Sequence, residues 1–562
     1  MTDGRQHPHM TGAQYLISFL VSKGVRTVFG YPGAPLLEVY DAIRENNGSD
    51  SERRLRHILV RHEQGAAHAA CGYAKACGFP GVCIATSGPG AINLATGIAD
   101  AMLDSVPLLC VTGQVDTAEI GRDAFQEADI MGITIPVTKH NYLVKDISIL
   151  KKVLGEAWTL CSSGRPGPVL VDIARDVLEG ELPEEENFEP VISRRRRETD
   201  IGLGSQLGKI RSELKHAYRP LILAGGGVVS GGASDSLSAF AARYSIPVAL
   251  TLPGMGLVLS PDVNVLGLAG RYGTRAANAA MDQCDIVIAV GCRFSDRTVS
   301  DFDRFGRSHF IIHCDIDYAE ISKNVPADLP VLADAGDFLS AMLKLDIDMD
   351  SDSVSSWSRQ LERIKNSSKS PPNEPEGALS CDEVLCAVDD VCQSTGGCLY
   401  IADVGSHQMT AAKRLEPLFE RGFITSCGLG VMGFALPASV GASYAVTDFA
   451  KDGVCRQIVC VCGDGGFQMT MQELATLKDA PLPVKILIMD NRSLGMIAEM
   501  QRTRFGDRVF GSKLENPDFA AIGAAYGIDS RGFGINDRPR LREAIAGILS
   551  AGHHVLAHFN IE

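Results

Sequence analysis

Short apolar runs that end at glycine or a polar residue alternate with helix-like segments along the chain. The first group of runs is GVCIATSGPG, PLLCVTGQ and PVLVDIARD; the second is PLILAGGG, IPVALTLPG, IVIAVGCRF and FIIHCDID; the third is LYIADVGSH, IVCVCGDGG and VKILIMDN. Nearly continuous apolar strands with helices between them are typical of parallel sheets covered on both faces. We therefore predict an α/β protein of three doubly wound parallel-sheet domains, whose ligands bind at the carboxyl ends of the strands.

Two polar stretches separate these groups and are interpreted as linkers. One is EEENFEPVISRRRRETD, and the other is DMDSDSVSSWSRQLERIKNSSKSPPNEPEG. An arginine run beside a glutamate run is more typical of a solvated hinge than of a nucleic-acid patch. We expect an N-terminal domain over 1–185, a central domain over 195–350 and a C-terminal domain over 375–562.

Composition and charge narrow the class of protein. The chain has 562 residues, of which 45% are hydrophobic and 22% charged, enough for several cores. Its formal net charge of −15 argues against nucleic acid or an anionic membrane as the main partner. The stretch MTDGRQHPHMTGAQ has no signal or transit character, so we expect a cytoplasmic protein. The 16 cysteines lack zinc-type spacing and are expected to be reduced core residues.

The stretch VCGDGGFQMTMQELATLKDAPLPVKILIMDN places an acid and an amide after two successive strands. Asp464 and Asn491 would lie side by side, and carboxylate and amide oxygens are ligands that Mg²⁺ prefers. Gly465 and Gly466 allow the backbone to approach a phosphate, to which the next helix start offers N–H groups. The pattern predicts a Mg²⁺-bridged diphosphate site; a tight turn with a helix-capping aspartate is the alternative.

The stretch ILVRHEQGAAHAACGYAKACG contains a candidate catalytic acid. Glu63 follows an apolar strand and precedes a helix rich in alanine and glycine, and this apolar setting suits a carboxyl group that exchanges a proton. The alternative is an acid at a helix start that satisfies backbone N–H groups.

The turn at Asp464 with its following helix and DN pair resembles the diphosphate motif of thiamine diphosphate (ThDP) enzymes. The resemblance implies that Asp464, the Asn491 side chain and the Ser493 carbonyl hold the metal, although Asp490 replaces the first asparagine of the usual pair. HEQ resembles the family motif in which a glutamate activates the cofactor's pyrimidine ring, which assigns that role to Glu63.

Further cofactor contacts are implied by three other motifs. TSGPGAINLATG resembles a loop beside the pyrimidine, and GLGVMGFALPAS resembles the segment that binds the 4′-amino group and supports the bent cofactor; a core methionine at a helix start is the alternative reading of the latter. ADVGSH resembles a diphosphate loop, with serine in place of the usual glutamine. The residues implied by these motifs are Pro89, Asn93, Gly405, Ser406, His407, Gly430 and Met432. Outside them, the resemblance also implies cofactor contacts at Gly465, Gly466 and Met496.

The closest resemblance is to the acetohydroxyacid (acetolactate) synthase family, catalytic subunit. DAFQEADIMGITIPVTKHNYLV, SGRPGPVLVDIARDV and GCRFSDR carry it, and it runs from about residue 10 to 560. These carboligases decarboxylate pyruvate on ThDP and add the two-carbon unit to a second 2-keto acid, pyruvate or 2-ketobutyrate, in branched-chain amino acid biosynthesis. The resemblance implies a homodimer or homotetramer, with each cofactor between two subunits, and a small regulatory subunit.

Other functions remain open at this point. A related ThDP enzyme would release acetaldehyde by simple decarboxylation, or acetyl phosphate by flavin-dependent pyruvate oxidation. A non-catalytic homologue is disfavoured because Glu63, Asp464 and Asn491 are all present.

The central segments LILAGGGV, LGLAGRYGTRAAN, GCRFSDR and HCDID resemble, in order, the FAD-contacting segments of the same family. The flavin of that family is largely structural. The resemblance implies FAD contacts at Arg165, Gly226, Gly227, Gly273, Thr274, Arg293, Asp315 and Asp334.

Selection of the acceptor keto acid needs a cation for its carboxylate, and the resemblance assigns Arg297 to this role, since guanidinium pairs carboxylates in a bidentate manner. An ion pair of Arg297 with Asp296 at the surface is the alternative. Gln126 is placed with Glu63 and Arg297 among the catalytic residues. The implied substrate channel comprises Ala34, Phe125, Arg175, Arg271, Ile497 and Met500.

Several channel residues differ from the family pattern. Ala34 replaces a glycine and narrows the pocket, Arg271 and Tyr272 replace Met-His, and Ser295 replaces an aspartate. Met500 stands where most members carry a tryptophan that favours 2-ketobutyrate. We expect intact donor chemistry and a weaker preference for the larger acceptor.

Overall fold

The computed structural model describes residues 10–48, 54–183, 203–368, 371–449 and 457–561. Within these ranges lie three six-stranded sheets with helices between the strands. Every strand pair of the three sheets is parallel. The prediction of three parallel-sheet α/β units is confirmed.

The first sheet is formed by the amino-terminal part of the chain. Its strands are β1 (Thr27–Tyr31), β2 (Arg56–Leu59), β3 (Gly81–Ala85), β4 (Leu108–Gln114), β5 (His140–Val144) and β6 (Pro168–Ala174), in the order β2-β1-β3-β4-β6-β5. Its helices are α1 (Gly12–Ser22), α2 (Leu37–Gly48), α3 (Glu63–Cys77), α4 (Pro89–Asn93), α5 (Ala95–Leu103), α6 (Ile130–Thr134), α7 (Leu150–Ser162) and α8 (Arg175–Glu179).

The central sheet has a different strand order. Its strands are β7 (Leu221–Ala224), β8 (Val248–Leu250), β9 (Val265–Leu268), β10 (Ile286–Val290), β11 (Phe310–Asp315) and β12 (Leu329–Leu332), in the order β12-β11-β10-β7-β8-β9. The associated helices are α9 (Leu203–Lys215), α10 (Gly226–Ser230), α11 (Ser234–Tyr244), α12 (Arg275–Gln283), α13 (Phe302–Ser308), α14 (Ala335–Leu343) and α15 (Ser351–Ser367). This is the order of the dinucleotide-binding doubly wound fold, in which the ligand lies where the strand order reverses, between β7 and β10.

The third sheet repeats the topology of the first. Its strands are β13 (Cys398–Ala402), β14 (Phe423–Thr425), β15 (Gln457–Gly463), β16 (Val484–Asp490), β17 (Asp529–Phe533) and β18 (Val555–Asn560), in the order β14-β13-β15-β16-β18-β17. The helices are α16 (Cys381–Ser394), α17 (Ser406–Arg414), α18 (Ala435–Phe449), α19 (Asp464–Thr470), α20 (Leu474–Leu477), α21 (Gly495–Phe505), α22 (Phe519–Ala525) and α23 (Leu541–Ser550). The first and third sheets are therefore built on the same plan.

The second predicted linker is wrong over most of its length, because it contains helix α15. Val354, Trp357 and Leu361 are buried, and this spacing places them on one face of the helix. The Trp357 indole N–H donates to the Pro220 carbonyl at 3.2 Å, which fixes the helix on the central sheet. The first predicted linker, with its arginine run, lies outside the described residues.

Helices α3 and α18 join the first and third units of the same chain. A Cβ placed on Gly441 would lie 1.8 Å from the Ala69 carbonyl oxygen, and one on Gly72 would lie 2.2 Å from the Ala438 oxygen. At the far end of α18, the buried Asp448 carboxylate accepts hydrogen bonds from Thr27 at 2.7 Å and from the Tyr73 hydroxyl at 3.0 Å. The two helix backbones thus touch at positions that only glycine can occupy.

The expectation that all the cysteines are reduced is wrong for one pair. Cys392 and Cys398 form a disulfide, with Cα atoms 5.7 Å apart, between the end of α16 and the start of β13. The tight connection between these two elements brings the thiols within bonding range. The other described cysteines are free.

In the part of the chain that the structure describes, we find no helix with the length and apolar character needed to cross a bilayer.

Candidate active site

Asp464 lies at the junction of β15 and α19, and its neighbour in space is the end of β16. Gly463 pairs with Met489 in the parallel ladder, so the two strands end side by side. The Asn516 side-chain amide donates to Asp464 Oδ2 and to Asp490 Oδ1, each at 2.7 Å. The carboxyl group of Asp464 is buried, which raises its pKa to about 6. An acid held in this way is destabilised as an anion unless a cation joins it.

The pKa of the neighbouring Asp490 carboxylate is shifted in the opposite direction, below its usual value. Burial disfavours its charge, but hydrogen bonds from His558, from the Arg492 N–H and from Asn516 outweigh burial and lower its pKa. His558 Nε2 lies 2.8 Å from Asp490 Oδ2. Asp490 therefore already has its own partners and stays anionic beside the Asp464 turn.

The loop after β16 contains the other two predicted metal ligands. Asn491 Oδ1 accepts a hydrogen bond from the Ser493 N–H at 3.1 Å, which fixes the amide orientation. A Cβ on Gly495 would lie 2.9 Å from Asn491 Nδ2, so the loop closes tightly before α21 begins. The predicted contact residues Met496, Ile497 and Met500 lie on α21.

His407 lies beneath the same turn. Its ring would lie 2.6 Å from a Cβ on Gly405 and 2.8 Å from a Cβ on Gly463. Burial lowers the pKa of His407 to about 4, so the imidazole is neutral. Its Nε2 atom is buried and has no hydrogen-bond partner among the described residues. A buried ring nitrogen without a described partner, beside two glycines, indicates a position where a polar group of a ligand fits.

The segment 426–434 crosses above this turn. Gly430 and Gly433 have φ angles of 74° and 86°, which favour glycine. A Cβ on Gly465 would lie 3.3 Å from the Met432 Cε, so the methionine side chain lies next to the turn. The buried Asp403 carboxylate accepts the Gly433 N–H at 3.0 Å and anchors the end of the segment.

The first unit contributes a second cluster of predicted site residues. Glu63 is the first residue of α3 and is buried, and its Oε2 accepts a hydrogen bond from the Asn93 amide at 2.9 Å. A Cβ on Gly90 would lie 3.0 Å from Glu63 Oε1. Helix α4, which begins at Pro89, thus packs against the carboxyl group, and Glu63, Pro89 and Asn93 lie together.

The loop that carries Phe125 and Gln126 contacts the same cluster. Gln126 has a φ angle of 61°, and a Cβ on Gly88 would lie 2.6 Å from its carbonyl oxygen. The Phe125 side chain is 89% exposed, so it borders solvent in the isolated chain. Arg175 lies at the start of α8 and is ion-paired with Asp116. Ala34 begins a short 3₁₀ helix after β1.

Two adjoining cavities of about 120 and 190 Å³ lie where the central unit meets the first unit, at the point where the central strand order reverses. Of the predicted FAD contacts, the larger cavity is lined by Gly227, Asp315 and Asp334, and the smaller by Arg165, Gly226, Gly227, Arg293 and Asp315.

The glycines of this region are in direct backbone contact. A Cβ on Gly227 would lie 2.6 Å from the Gly291 Cα. Burial raises the pKa of Asp315 to about 6. The cavities therefore combine close backbone approach with a buried acid, as a bound dinucleotide requires.

Some predicted FAD contacts have protein partners in this structure. Arg165 is ion-paired with Asp317 at 3.1 Å and with Glu320 at 2.6 Å. The Thr274 side chain caps α12 by accepting the Ala277 N–H at 3.1 Å. Gly273 directly precedes this cap.

Arg297, predicted to select the acceptor, is exposed. Its Nε lies 3.8 Å from the Asp296 carboxylate, and 61% of its side chain is open to solvent. Its carbonyl accepts the Arg271 N–H at 2.9 Å, so these two channel candidates lie together. In the single chain Arg297 forms the surface ion pair that was the alternative reading.

The donors around Asp464 fit a hard cation with a diphosphate. No group of three or more His, Cys, Asp or Glu side chains with metal-binding geometry occurs within the described ranges. Mg²⁺ needs fewer such groups, because it accepts amide and carbonyl oxygens, water and phosphate. The Asp464 carboxylate and the Asn491 amide carry oxygens of the kind that such a site uses.

Comparison with known proteins matches three family profiles in order. Residues 10–133 match the N-terminal thiamine pyrophosphate (TPP) binding domain of thiamine pyrophosphate enzymes, residues 207–342 the central domain, and residues 403–559 the C-terminal TPP binding domain. Glu63 falls in the first match, and Asp464 and Asn491 fall in the third.

Full-length relatives specify the family further. An acetolactate synthase large subunit of Parasynechococcus marenigrum is 41% identical over 550 residues, covering 96% of this chain and 86% of the relative. The acetolactate synthase isozyme 2 large subunit of Escherichia coli K12 is 39% identical over 556 residues, covering 98% and 96%. A probable acetolactate synthase large subunit of Methanocaldococcus jannaschii is 40% identical over 548 residues, covering 95% and 90%.

The chain belongs to the acetolactate synthase large-subunit family. The family resemblance on which the sequence interpretation rested is thereby confirmed, and so is the assignment to ThDP enzymes. Each half of the proposed site lies within one of the two TPP binding domains.

Three residues of the candidate site escaped sequence reasoning. Asn516 bridges Asp464 and Asp490, and Asp317 and Glu320 hold Arg165. Asn516 lies far along the chain from the two acids, in a loop whose local sequence carries no motif. Asp317 is the last residue of the HCDID run and Glu320 follows three residues later, and their acidic character next to a predicted cofactor strand is a signal that marks them.

Proposed function

We propose that the chain is the catalytic subunit of a ThDP-dependent acetolactate synthase, which decarboxylates pyruvate and transfers the two-carbon unit to a second 2-keto acid. The observation that carries the proposal is that a buried, amide-held Glu63 lies in one TPP binding domain and an amide-held Asp464 lies in the other. The names of the relatives specify the reaction.

Asp464, Asn491 and the Ser493 carbonyl would hold Mg²⁺ against the diphosphate of the cofactor. The raised pKa of Asp464 supports this assignment, because its buried anion gains most from a cation. The loop of Gly405, Ser406 and His407 and the turn of Gly465 and Gly466 would surround the phosphate oxygens.

Bound ThDP supplies the carbon nucleophile of the reaction. Glu63 would exchange a proton with the pyrimidine ring of the cofactor, while Asn93 fixes the carboxyl orientation. Gly430 and Met432 would hold the ring from the other side, and Pro89 and Met496 would complete its surroundings. The protein thus contributes orientation and a protonation state.

FAD would occupy the two cavities of the central unit. Support comes from the dinucleotide-type strand order, the contact between Gly227 and Gly291, and the buried Asp315. Arg165 has its own acidic partners, so we propose that it fixes the wall of the cavity as well as contacting the flavin nucleotide.

The acceptor site would be formed by Arg297, Gln126 and the channel residues Ala34, Phe125, Arg175, Arg271, Ile497 and Met500. Arg297 has a weak, exposed partner at 3.8 Å, so its guanidinium is available to a substrate carboxylate. Arg175 already has a short-range partner in Asp116, so it would act as part of the channel wall.

We propose three domains, over 1–185, 195–350 and 375–562, with α15 added to the central one because Trp357 binds the Pro220 carbonyl, and a homodimer or homotetramer. Large apolar side chains are exposed near both halves of the site, such as Phe125 in the first unit and Phe510 in the third. Exposed aromatic side chains of this kind are typical of contact surfaces. The relatives are named large subunits, and we extend the implied small regulatory subunit to this chain as a proposal.

Product analysis tests the proposed reaction. The purified chain is incubated with pyruvate, ThDP, Mg²⁺ and FAD, and acetolactate is the expected product. Acetaldehyde alone would indicate a decarboxylase, and acetyl phosphate with flavin reduction would indicate an oxidase. The variant Asp464→Ala should lose Mg²⁺-dependent retention of ThDP, which separates a failed metal site from a different reaction.

A further inference from the structure

The segment 426–431 contains Gly430 and directly precedes Met432. Side chains of the first unit of the same chain hold it in place. Asp104 accepts the Cys427 N–H at 2.9 Å and the Gly428 N–H at 2.7 Å, one on each carboxylate oxygen. Lys75 of α3 pairs with Asp104 at 2.5 Å and donates to the Thr425 carbonyl at 2.7 Å. Both charged side chains are largely buried.

A second link lies one turn earlier on α5. The Ser426 hydroxyl donates to Asp100 Oδ1 at 2.5 Å and accepts the Val431 N–H at 2.9 Å. This hydroxyl closes the segment on itself, because residues 426 and 431 are the two ends of the turn that contains Gly430. Asp100 and Ser426 are both fully buried.

Burial of the Asp100 carboxyl group lowers the stability of the fold, which argues that this side chain has a further role. Asp100 Oδ2 is buried and has no hydrogen-bond partner among the described residues. Burial, with the nearby Asp104, raises the pKa of Asp100 to about 7. A buried acid with one unmet oxygen is less favourable than an apolar side chain of the same size. Its one described hydrogen bond is to Ser426.

We propose that Asp100 and Asp104, through Ser426 and the N–H groups of 427 and 428, are positioning residues that fix the 426–431 segment for cofactor binding. The inference rests on the proposed role of Gly430 and Met432 beside the cofactor. Helix α5 of the first unit would then preorganise a cofactor-binding segment of the third unit. Preorganisation of this kind raises affinity because the ordering occurs before binding.

Substitution by asparagine should affect the two aspartates differently, because their carboxylates accept different numbers of hydrogen bonds. Asp100 uses one described acceptor oxygen, which asparagine retains. Asp104 uses both oxygens as acceptors for N–H groups and also faces Lys75, so asparagine forfeits one acceptor and the charge. Asp104→Asn and Ser426→Ala should therefore weaken the segment, whereas Asp100→Asn should not.

Calorimetric titration of the cofactor-free full-length chain with ThDP in excess Mg²⁺ tests the proposal. We expect the Kd for ThDP to rise about tenfold in Asp104→Asn and about fivefold in Ser426→Ala, from the loss of buried hydrogen bonds. Asp100→Asn should stay within about twofold of the parent chain, by the same reasoning.

The control variant is Asp448→Asn, which removes charge from another buried acid that joins the first and third units. It should lower the unfolding temperature and leave the Kd for ThDP unchanged. Wild-type affinity in Ser426→Ala, or an equal loss of affinity in Asp448→Asn, would overturn the proposal. If Asp104→Asn does not fold, Ser426→Ala decides the question. Absence of ThDP binding by the parent chain would instead refute the proposed function.

Discussion

At the scale of single residues, buried carboxyl groups carry most of the proposed chemistry, and each is held by a different set of donors. Glu63 is held by the Asn93 amide, Asp464 by the Asn516 amide, and Asp403 by two backbone N–H groups. Neutral donors orient a carboxyl group without fixing its charge as strongly as a cation would. The described donors to Glu63 and Asp464 are thus neutral amides.

The variant Glu63→Gln tests the assignment of the acid. A carboxamide can keep the hydrogen bond with Asn93 but cannot exchange the proton, so turnover should fall by at least about 100-fold while ThDP still binds. Steady-state rates and calorimetric binding of ThDP measure the two effects. Glu383→Gln, at a buried capping glutamate of α16, is the control and should keep its turnover. Near-normal activity of Glu63→Gln would refute the assignment.

Met500 is expected to influence which 2-keto acid serves as the acceptor. The side chain lies on α21, at a position to which the family resemblance assigns a tryptophan in most members, and methionine lacks a rigid wall for the larger acceptor. We expect a weak preference for 2-ketobutyrate over pyruvate, which Met500→Trp should strengthen several-fold. Competition between the two keto acids, read from the product ratio, measures it. A strong preference in the parent chain that Met500→Trp does not change would contradict the idea.

Asp172 gives a pH dependence of stability. Burial raises its pKa from 3.8 to about 7, against hydrogen bonds from Thr112 and Gln114 that lower it. Between these two pKa values, the folded state keeps a proton that the unfolded chain loses. The stability contributed by the protonated Asp172 is therefore complete below pH 3.8 and is lost as the pH rises towards about 7. Because asparagine stays neutral, Asp172→Asn should gain up to about 4 kcal/mol relative to the parent chain between pH 4 and pH 8.

Thermal unfolding of both chains across this pH range measures the gain. The exposed Asp296→Asn is the control and should show no such trend. A difference between Asp172→Asn and the parent chain that does not change with pH would show that the Asp172 carboxyl group ionises as easily in the folded chain as in the unfolded one.

At the scale of elements, the packing of α3 on α18 determines how the first and third units meet. The two helix backbones touch where Gly441 faces Ala69 and Gly72 faces Ala438. The start of α3 carries Glu63, and α18 follows directly after the 426–434 segment. One helix pair therefore sets the relative position of two groups of predicted cofactor contacts in each chain.

Gly441→Ala tests this packing. The added methyl group would lie 1.8 Å from the Ala69 oxygen, so the helices must separate, and we expect a loss of about 3 kcal/mol despite the better helix propensity of alanine. Gly547→Ala in α23 is the matched control, since no atom lies within 4 Å of its added Cβ, and it should gain about 0.5–1 kcal/mol. Equal unfolding midpoints for the two variants would show that α3 and α18 are loosely packed.

The sequence predicts elements well where one local pattern determines them. The runs that end at Gly463 and Asp490 are strands β15 and β16, and their apolar residues are buried throughout, as expected for a covered parallel sheet. Helix α15 was missed because serine and charged residues dominate its composition, while Val354, Trp357 and Leu361 are the residues buried on its core face. Amphipathic spacing was the better guide there than composition.

The site was predictable only where a motif is contiguous. Glu63 and Asn93 lie in two recognisable motifs, but the bridge from Asn516 to Asp464 joins residues far apart in the chain. The same holds for Asp104 and Gly428 and for the partners of Arg165. Such contacts depend on how whole units pack, which no local pattern encodes.

At the scale of the whole molecule, the first and third sheets share one topology and each carries one half of the proposed site. Within one chain, the Glu63 carboxylate has its hydrogen bond with Asn93, and the Asp464 carboxylate has its own with Asn516. The rims of both units carry exposed aromatic side chains. These features favour a site completed by a second copy of the chain, with Glu63 from one subunit and Asp464 from the other.

Mixing two inactive variants tests whether the site lies between subunits. Glu63→Gln and Asp464→Ala should each be inactive alone, because every site has one defective half. If a site combines Glu63 of one subunit with Asp464 of the other, each mixed dimer has one site with both defects and one site with neither. Random exchange of subunits between equal amounts of the two variants should then restore up to about a quarter of the parent activity. If both halves came from one chain, every site would remain defective, and the mixture would stay inactive although sedimentation showed that mixed dimers had formed.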